Sequence, residues 1–398
     1  MTEKTKSKVN SRRRLLIRLV LGIGVIVALV AAVVYLFRPA GAQIVFIAPD
    51  ENGVDNIWIA DLNNPEHPRQ LTHYMEVDTW IGRFSVNRNR SSIAYVVYSS
   101  QTQDDGEIVL LNLHTLNKRI LTNCVDSQAM CNTFSFSTDG RYIAYIAVTQ
   151  VYDELYQGMY ISGLFFYTID LNDSTDNLIH GIENLQLSIP SSYLIMNWLN
   201  NEYQLAMPVS IDPFEVSVYD VENRTFTQNL SADISYEVTF SPDNNYYITR
   251  NSQTYLTTIY DIENNNILHF RPEDISWQTD DFYLIGTTSV SWNPDNTHVL
   301  LIPMILSPYA NDWCYRGMPH ILDLATGDLE SLFGSEDYTY SSLSWNADAT
   351  RALYIRRPYH RISCADNVRQ LMLYDMETQE ETALPLFGHS PQWVNGGR

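Results

Sequence analysis

The sequence predicts an all-β fold, a seven-bladed β-propeller, preceded by one N-terminal transmembrane helix. Three observations predict the propeller. A short apolar cassette that ends in Asp or Asn recurs seven times along the 398 residues. Strand-like segments and tight turns surround each copy. The two ends of the repeat region each carry part of one further repeat. All-strand repeats of about fifty residues are typical of propellers.

The cassette is a β-branched and aromatic run with a short polar residue at its end. Successive copies lie 51, 58, 50, 41, 62 and 52 residues apart. The polar residues are Asp61, Asn112, Asp170, Asp220, Asp261, Asp323 and Asp375. Asp and Asn side chains hydrogen-bond the backbone of a following turn. We therefore expect these residues to cap turns rather than to bind a metal ion.

Each later cassette follows a unit of two strands joined by a turn rich in Asn, Asp, Pro or Gly. Adding the cassette strand and a short fourth strand gives four strands per repeat, which is one blade. The first repeat begins directly with a second strand, residues 44–47, whereas residues 390–394 match a first strand. We expect this last strand to complete the first blade and to remove its open sheet edge.

The turn of the two-strand unit carries a motif. It reads STDG at residues 137–140, SPDN at residues 241–244 and NPDN at residues 293–296. Over about residues 43–394 this pattern resembles the repeat of the TolB-type, WD-repeat-like β-propeller family. The resemblance is confined to the propeller repeats. It implies the fold and no single function, because such propellers serve many roles.

The N-terminal segment is basic and then apolar. Residues 1–38 hold eight basic residues and one acidic residue, and residues 19–37 carry no charge. About 20 apolar residues span a bilayer, and a positive flank stays in the cytoplasm. The expected parts are a cytoplasmic tail (1–14), a transmembrane signal anchor (15–38), a linker (39–42) and an extracytoplasmic propeller (43–398). The alternative is a signal peptide cleaved near Ala40-Gly41-Ala42.

The remainder of the chain is strongly acidic. Beyond residue 38 it has 17 basic and 45 acidic residues, a formal net charge of −28. Such a charge repels nucleic acid. The expected partners are therefore the membrane, through the anchor, and a protein or peptide, but no nucleic acid.

Strand alternation divides the loops between two faces of the propeller. Turns joining first to second and third to fourth strands share the short-turn face, and the remaining loops share the elaborated face. Long insertions fall on the elaborated face, at residues 149–163, 271–286, 306–318 and 357–367. Long structured loops are often functional. The chain enters the propeller on the short-turn face, so we expect this face to be oriented towards the membrane. Partners would bind the elaborated face, unless the insertions only pack on each other.

The candidate binding residues in these insertions are aromatic or basic, the types enriched at interface hot spots. They are Trp277, Trp313, Tyr315, Arg316, Arg357, Tyr359, His360 and Arg361. The basic members could receive an acidic partner, or they could form local salt bridges with Asp312 and Asp366. The aromatic members would also suit sugar rings.

Four cysteines permit two disulfides in an exported domain. Cys124 and Cys131 lie in one loop between blades, and Cys314 and Cys364 lie at matching places in adjacent blades. We predict that the cysteines pair in this way. Metal binding is the alternative, but the sequence has no zinc-ligand spacing.

Sequence motifs of the common catalytic classes are absent: the chain has no GxSxG, HExxH or P-loop sequence. We therefore expect no catalytic residue, metal or cofactor, and we predict a non-catalytic platform for a protein or peptide partner. One alternative is a glycan- or peptide-acting enzyme with its site at the tunnel mouth, for which a carboxylate pair would be needed in glycoside hydrolysis. Another is a carbohydrate-binding module with an exposed row of Tyr and Trp.

Overall fold

A computed structural model confirms the seven-bladed β-propeller. It describes residues 42–76, 78–87, 91–99, 106–127, 129–153, 158–173, 175–187, 196–199, 203–211, 214–230, 235–251, 257–261, 267–270, 283–306, 315–335, 337–358 and 368–394. Within these ranges, no helix has the length and apolar character needed to cross a membrane. The predicted anchor, residues 15–38, lies outside them.

Every blade is an antiparallel sheet that extends from an innermost strand outward. Blade 1 contains β29 (His389–Trp393), β1 (Gln43–Pro49), β2 (Asp55–Asp61) and β3 (Arg69–Gln70). Blade 2 contains β4 (Trp80–Val86), β5 (Ser92–Tyr98), β6 (Glu107–Asn112) and β7 (Lys118–Ile120). Blade 3 contains β8 (Ala129–Phe136), β9 (Tyr142–Asp153), β10 (Gly158–Asp170) and β11 (Thr175–Leu187). Blade 4 contains β12 (Asn197–Trp198), β13 (Gln204–Ile211), β14 (Phe214–Asp220) and β15 (Thr225–Leu230).

The other three blades follow the same order, and one of them has a fifth strand. Blade 5 contains β16 (Ser235–Phe240), β17 (Tyr246–Asn251), β18 (Thr257–Asp261) and β19 (Ile267–Phe270). Blade 6 contains β20 (Tyr283–Trp292), β21 (His298–Leu306), β23 (His320–Asp323) and β24 (Leu329–Ser331), and the short β22 (Tyr315–Arg316) pairs with β21. Blade 7 contains β25 (Tyr338–Trp345), β26 (Arg351–Pro358), β27 (Gln370–Asp375) and β28 (Glu380–Phe387).

The ring closes as the sequence predicts. Strand β29 pairs antiparallel with β1, placing Trp393 opposite Ile44 and Gln392 opposite Val45. The Val394 N–H continues the ladder and donates to the Gln43 carbonyl at 2.9 Å. Blade 1 is therefore built from both ends of the repeat region, and β1 has no open edge.

The core lies between the blades, and both faces of each sheet contribute to it. On β5, Ile93 and Tyr95 pack into the cluster shared with blade 1. Their neighbours Ala94 and Val96 pack into the cluster shared with blade 3. Successive side chains of a strand point to opposite faces, so a strand with both faces covered is apolar throughout. This explains the near-continuous apolar second strands in the sequence.

Tryptophans at the ends of innermost strands join neighbouring blades. In three cases the indole Nε1–H donates to a backbone carbonyl in the innermost strand of the preceding blade. The pairs are Trp198 with Ser135 at 3.0 Å, Trp292 with Thr239 at 3.3 Å, and Trp393 with Ser344 at 3.3 Å. At the equivalent place in blade 7, the buried Trp345 Nε1 has no acceptor in the described part of the chain. The blade 6–blade 7 seam thus lacks the bond that the other three seams share.

The cassette residues cap turns, as the sequence predicts. Asp323 shows the pattern: its Oδ1 accepts hydrogen bonds from the N–H groups of Ala325 and Thr326, at 2.8 and 2.9 Å. The other residues that accept such bonds are Asp61, Asn112, Asp170, Asp220 and Asp375. The residues after Asp261 lie outside the described ranges.

These caps predict a loss of stability in acid. Backbone N–H groups of the capped turns hold the pKa of Asp220, Asp323 and Asp375 below its usual range. A lowered folded-state pKa stabilises the protein above the unfolded-state pKa, near 3.9, and this contribution is lost as pH falls through the folded-state pKa. We expect the urea midpoint to fall between about pH 4 and about pH 2. The urea midpoint should fall less in the variant that carries Asn at positions 220, 323 and 375, because the Asn side chains still cap the turns but do not titrate. An equal loss in both proteins would contradict this assignment.

Blade 3 departs from the sequence prediction. Residues 149–163 do not form an inserted loop, because β9 and β10 continue through the described part of this segment. Gly158 lies opposite Asp153, and Tyr160 lies opposite Val151. The β-branched and aromatic residues of the segment favour strand. The insertion therefore lengthens a hairpin, and β11 extends along it as a 13-residue outer strand.

Candidate functional site

The predicted binding residues are only partly within the described chain. Tyr315 and Arg316 form β22, and its backbone pairs with Leu306 and Ile305 at the elaborated-face end of β21. Arg357 lies at the same end of β26. The remaining predicted residues lie outside the described ranges: Trp277, Trp313, Tyr359, His360 and Arg361. Asp312 and Asp366, the possible salt-bridge partners, also lie outside.

Blade 7 carries a group of arginines at its elaborated-face end, which we call the arginine corner: Arg356, Arg357 and Arg369. The Arg356 guanidinium lies over the Tyr338 ring, 4.5 Å from its centroid. Arg357 shares the strand face of Leu353, whose side chain packs against blade 1. Burial, and then the charge of Arg369, lower the pKa of the Arg357 guanidinium. Two like charges are therefore held close together in an otherwise acidic domain.

Ion pairs elsewhere in the domain contrast with this corner. Arg141 donates to Asp170 at 2.8 Å, and Arg351 lies 3.4 Å from Asp375. Both arginines are partly exposed on the short-turn face, and Asp170 is buried. In the described portion of the protein, none of the three corner arginines lies within ion-pair distance of a carboxylate. The corner can therefore receive an anionic group from a partner.

A cavity of about 840 Å³ opens on the propeller axis. The innermost strands of blades 7, 1, 2 and 3 line it, which places it in the central channel. Its basic lining residues are Arg83, which is exposed, and His389, which is half-buried. The lining that the structure describes includes no Asp or Glu. The described channel wall is therefore basic, whereas the domain as a whole has a negative net charge.

The channel wall is shaped by β-bulges in three adjacent blades. In β25, β29 and β4, two residues lie opposite a single residue of the second strand. The bulged pairs are Ser342-Leu343, Ser390-Pro391 and Gly82-Arg83. A bulge bends the strand and redirects its side chains, and bulges are frequent beside active sites. Ser342 and Ser390 have left-handed backbones, with φ of 56° and 53°.

Side chains on either side of the bulges fix the wall. The Gln392 amide bridges to β4: its Nε2 donates to the Phe84 carbonyl at 2.7 Å, and its Oε1 accepts from the Val86 N–H at 3.1 Å. The His389 Nε2 lies 3.6 Å from an Asp55 carboxylate oxygen. The Gln392 bonds hold the innermost strands of blades 1 and 2 together along the channel, whereas the contact between His389 and Asp55 lies within blade 1.

An aromatic pair lines the elaborated-face end of the channel. The rings of Trp80 and Tyr98 are stacked, with centroids 4.5 Å apart and planes inclined by 13°. Gly82 lies against this pair, and a Cβ there would fall 2.6 Å from a Tyr98 ring carbon. Glycine therefore permits the stack. Trp80 is half-buried, so part of its ring faces the cavity.

The disulfide prediction is confirmed for one pair. Cys124 and Cys131 are bonded across the loop that joins blades 2 and 3. Beside it lies a smaller cavity of about 240 Å³, where the Tyr145 hydroxyl donates to Asp176 at 2.7 Å. Cys314 and Cys364 lie outside the described ranges. Among the residues with described positions, no three His, Cys, Asp or Glu side chains are grouped to hold a metal ion.

Sequence reasoning missed the channel wall. Arg83, Ser342 and Ser390 occupy one repeat position, three residues before Val86, Trp345 and Trp393 respectively. An alignment of the innermost strands could have shown this position. It could not have shown which of its residues face the axis, because each bulge changes the alternation of side chains.

Comparison with known proteins supports the fold alone. No family model matches the chain, and no curated protein is similar to it in sequence. A putative 6-phosphogluconolactonase from Bacteroides fragilis aligns with a TM-score of 0.53 and 10% identity, over 90% of this chain and 99% of that one. An oligogalacturonate lyase from Vibrio parahaemolyticus aligns with a TM-score of 0.52 and 12% identity, over 85% and 88%.

A third solved structure extends beyond this chain. A puromycin-hydrolyzing peptidase from Mycobacterium tuberculosis aligns with a TM-score of 0.55 and 14% identity. The match covers 87% of this chain and 53% of the peptidase. The chain therefore spans about half of that enzyme. These three proteins have different activities, so the likeness identifies a seven-bladed β-propeller and leaves the activity to be argued from the site.

Proposed function

We propose that the protein is a membrane-anchored, extracytoplasmic β-propeller that binds a protein or peptide partner without catalysing a reaction. Residues 15–38 would form a single-pass anchor in the cell membrane, with the N-terminus in the cytoplasm. The apolar run of residues 19–37 and its basic flank support this topology. The Cys124–Cys131 disulfide supports an oxidising, extracytoplasmic location for the propeller.

The arginine corner is the observation that carries the binding proposal. Arg357 and Arg369 are close enough that one lowers the pKa of the other. Holding two guanidinium groups together is unfavourable unless an anion or solvent screens them. Arginine also binds carboxylates through two parallel hydrogen bonds. The corner therefore suits an acidic segment of a partner at the elaborated face of blade 7.

The catalytic alternative would require different groups. Hydrolysis of a glycoside needs two carboxyl groups on either side of the scissile bond. The described wall of blades 7, 1, 2 and 3 offers an arginine and a histidine instead. This chemistry favours binding of an anion over that reaction. A carboxylate pair on the walls of blades 4 to 6 would restore the enzymatic hypothesis.

Charge reversal at the corner tests the proposal. We expect crosslinking and affinity capture from native membranes to recover a partner with the unaltered full chain. Recovery should fall at least about tenfold with Arg357→Glu combined with Arg369→Glu, because like charges across an interface are strongly unfavourable. Raising the salt concentration should also lower the recovery of the partner by the unaltered chain, because salt screens the attraction between charges.

The matched control is Arg69→Glu, because Arg69 is exposed on the outer strand of blade 1, in a different sheet from the three corner arginines. It should retain the partner. The double variant could lose the partner because it unfolds. Arg369→Glu alone is therefore tested as well, and a lower recovery at an unchanged melting temperature would assign the loss to the corner. Equal recovery of the partner with all variants would contradict binding at the arginine corner. Turnover of a glycan or peptide by the purified chain would favour the enzymatic hypothesis.

A further inference from the structure

The channel cavity is a second feature, separate from the arginine corner. Its volume of about 840 Å³ lies within the range of ligand pockets, about 300–1,000 Å³. It is bounded by innermost strands and by Tyr98 of β5 rather than by loops. Such a cavity can take a small molecule or the end of a peptide.

Two serines in its wall have an unfavourable backbone. A left-handed conformation is unfavourable for a non-glycine residue, and Ser342 and Ser390 both adopt it at the same repeat position. Glycine would adopt it without this cost but would supply no hydroxyl group. Strained residues of this kind are concentrated at ligand sites. Both serines border the cavity, and the Ser390 hydroxyl lies 3.2 Å from the His389 Nδ1.

The wall of blade 7 also contains two hydrogen-bond donors whose bonding capacity is unused. The Ser344 hydroxyl and the Trp345 Nε1 are buried and have no partner among the described residues. Both residues line the cavity. Buried polar groups in native proteins are almost always hydrogen-bonded. Both atoms are buried, so an acceptor in the cavity reaches them only after the neighbouring side chains move.

The charge of the wall selects an anion. The propeller region has a net formal charge of −28, yet the described lining includes Arg83 and no carboxylate. A cationic group on the wall of a concave site raises the local concentration of anions. The wall offers donors from side chains that border the cavity: the Arg83 guanidinium and the hydroxyl groups of Ser342 and Ser390. A carboxylate can accept hydrogen bonds from each of these groups.

The aromatic pair adds a second requirement. Trp80 stacks on Tyr98 and exposes part of its ring at the elaborated-face end of the same cavity. Flat or apolar groups bind well against such a ring. We propose that the channel wall of blades 7, 1 and 2 binds a carboxylate carried on a flat or apolar body, supplied by a small organic acid or by the C-terminal end of a peptide.

The test uses the full chain in detergent and isothermal titration calorimetry. The probe is N-benzoylglycine, which combines a ring, an amide and a carboxylate, and its neutral partner is N-benzoylglycinamide. We expect the acid to bind at least about tenfold more tightly than the amide. Arg83→Gln should weaken binding of the acid about tenfold or more, whereas Arg69→Gln, on an exposed outer strand, should leave it unchanged.

Further arms identify the source of the carboxylate. An acetylated pentapeptide ending in a free phenylalanine carboxylate is compared with its C-terminal amide. Binding of N-benzoylglycine supports a small acid, and binding of the free peptide alone supports a peptide end. If neither carboxylate binds better than its amide, or if Arg83→Gln has no effect, the proposal is wrong. Arg357→Glu combined with Arg369→Glu should keep acid binding, which separates this site from partner capture at the arginine corner.

Discussion

A chain that ends at Gly388 should fail to form a closed propeller. Removing β29 leaves the ladder groups of β1 unpaired and uncovers Ile44, Val45 and Ile47, each of which is 0% exposed in the ring. Full burial of such a side chain contributes roughly 1.5–3 kcal/mol. The combined loss is at most about 5–9 kcal/mol, because the three side chains keep neighbours in blades 2 and 7. This upper limit is comparable with the whole stability of an ordinary domain. We expect little soluble protein and no cooperative melting by circular dichroism.

The control for this truncation is a chain that ends at Val394. It keeps all of β29 and the bond from the Val394 N–H to Gln43, so it should melt like the full chain. If the chain ending at Gly388 also melted cooperatively within a few degrees of the full chain, closure by β29 would not be what stabilises the ring.

Phe84→Ala should strongly destabilise the propeller. Phe84 is 2% exposed and belongs to the cluster that packs blade 2 against blade 1, together with Val45 and Tyr95. Replacing a buried Phe by Ala typically costs about 3–5 kcal/mol, through lost burial and the cavity left behind. We expect a loss of that size in the apparent free energy of unfolding, measured from urea denaturation by tryptophan fluorescence.

Phe387→Ala is the matched control for this substitution. Phe387 lies on the outer strand of blade 7 and is 55% exposed. The same chemical change there should shift the free energy of unfolding by no more than about 0.5 kcal/mol. A similar loss in both variants would show that the inter-blade cluster does not decide the effect.

The architecture was predictable because it depends on local patterns that repeat. The cassette residues and their spacing identified the third strand of each blade. Residues 390–394 matched the first strand of a blade but no second strand followed them, which indicated that they complete the first blade. Capping follows from the short Asp side chain at the end of each cassette, and the structure shows these bonds. The proximity of Cys124 and Cys131 in one loop was enough to predict their disulfide.

The candidate sites were harder to predict, because they depend on where strands from different blades meet. Arg369 was missed because it precedes β27 and meets Arg357 only through strand pairing. Arg83 was missed because a bulge decides which way its side chain points. Residues 149–163 were mistaken for a loop because an unusually long hairpin and an insertion look alike in sequence.

The closure of blade 1 also has a consequence during synthesis. Strand β3 ends at Gln70 and β29 begins at His389, so the ribosome must add about 320 residues between them. At about 5–20 residues per second, this takes roughly 16–64 s. Throughout that interval the nascent chain carries β1 with one edge unpaired, while later blades can already fold. Translation of the last strand therefore sets the time at which the ring can close. Until then, the open edge of β1 can be covered only by other molecules or segments that bind the nascent chain.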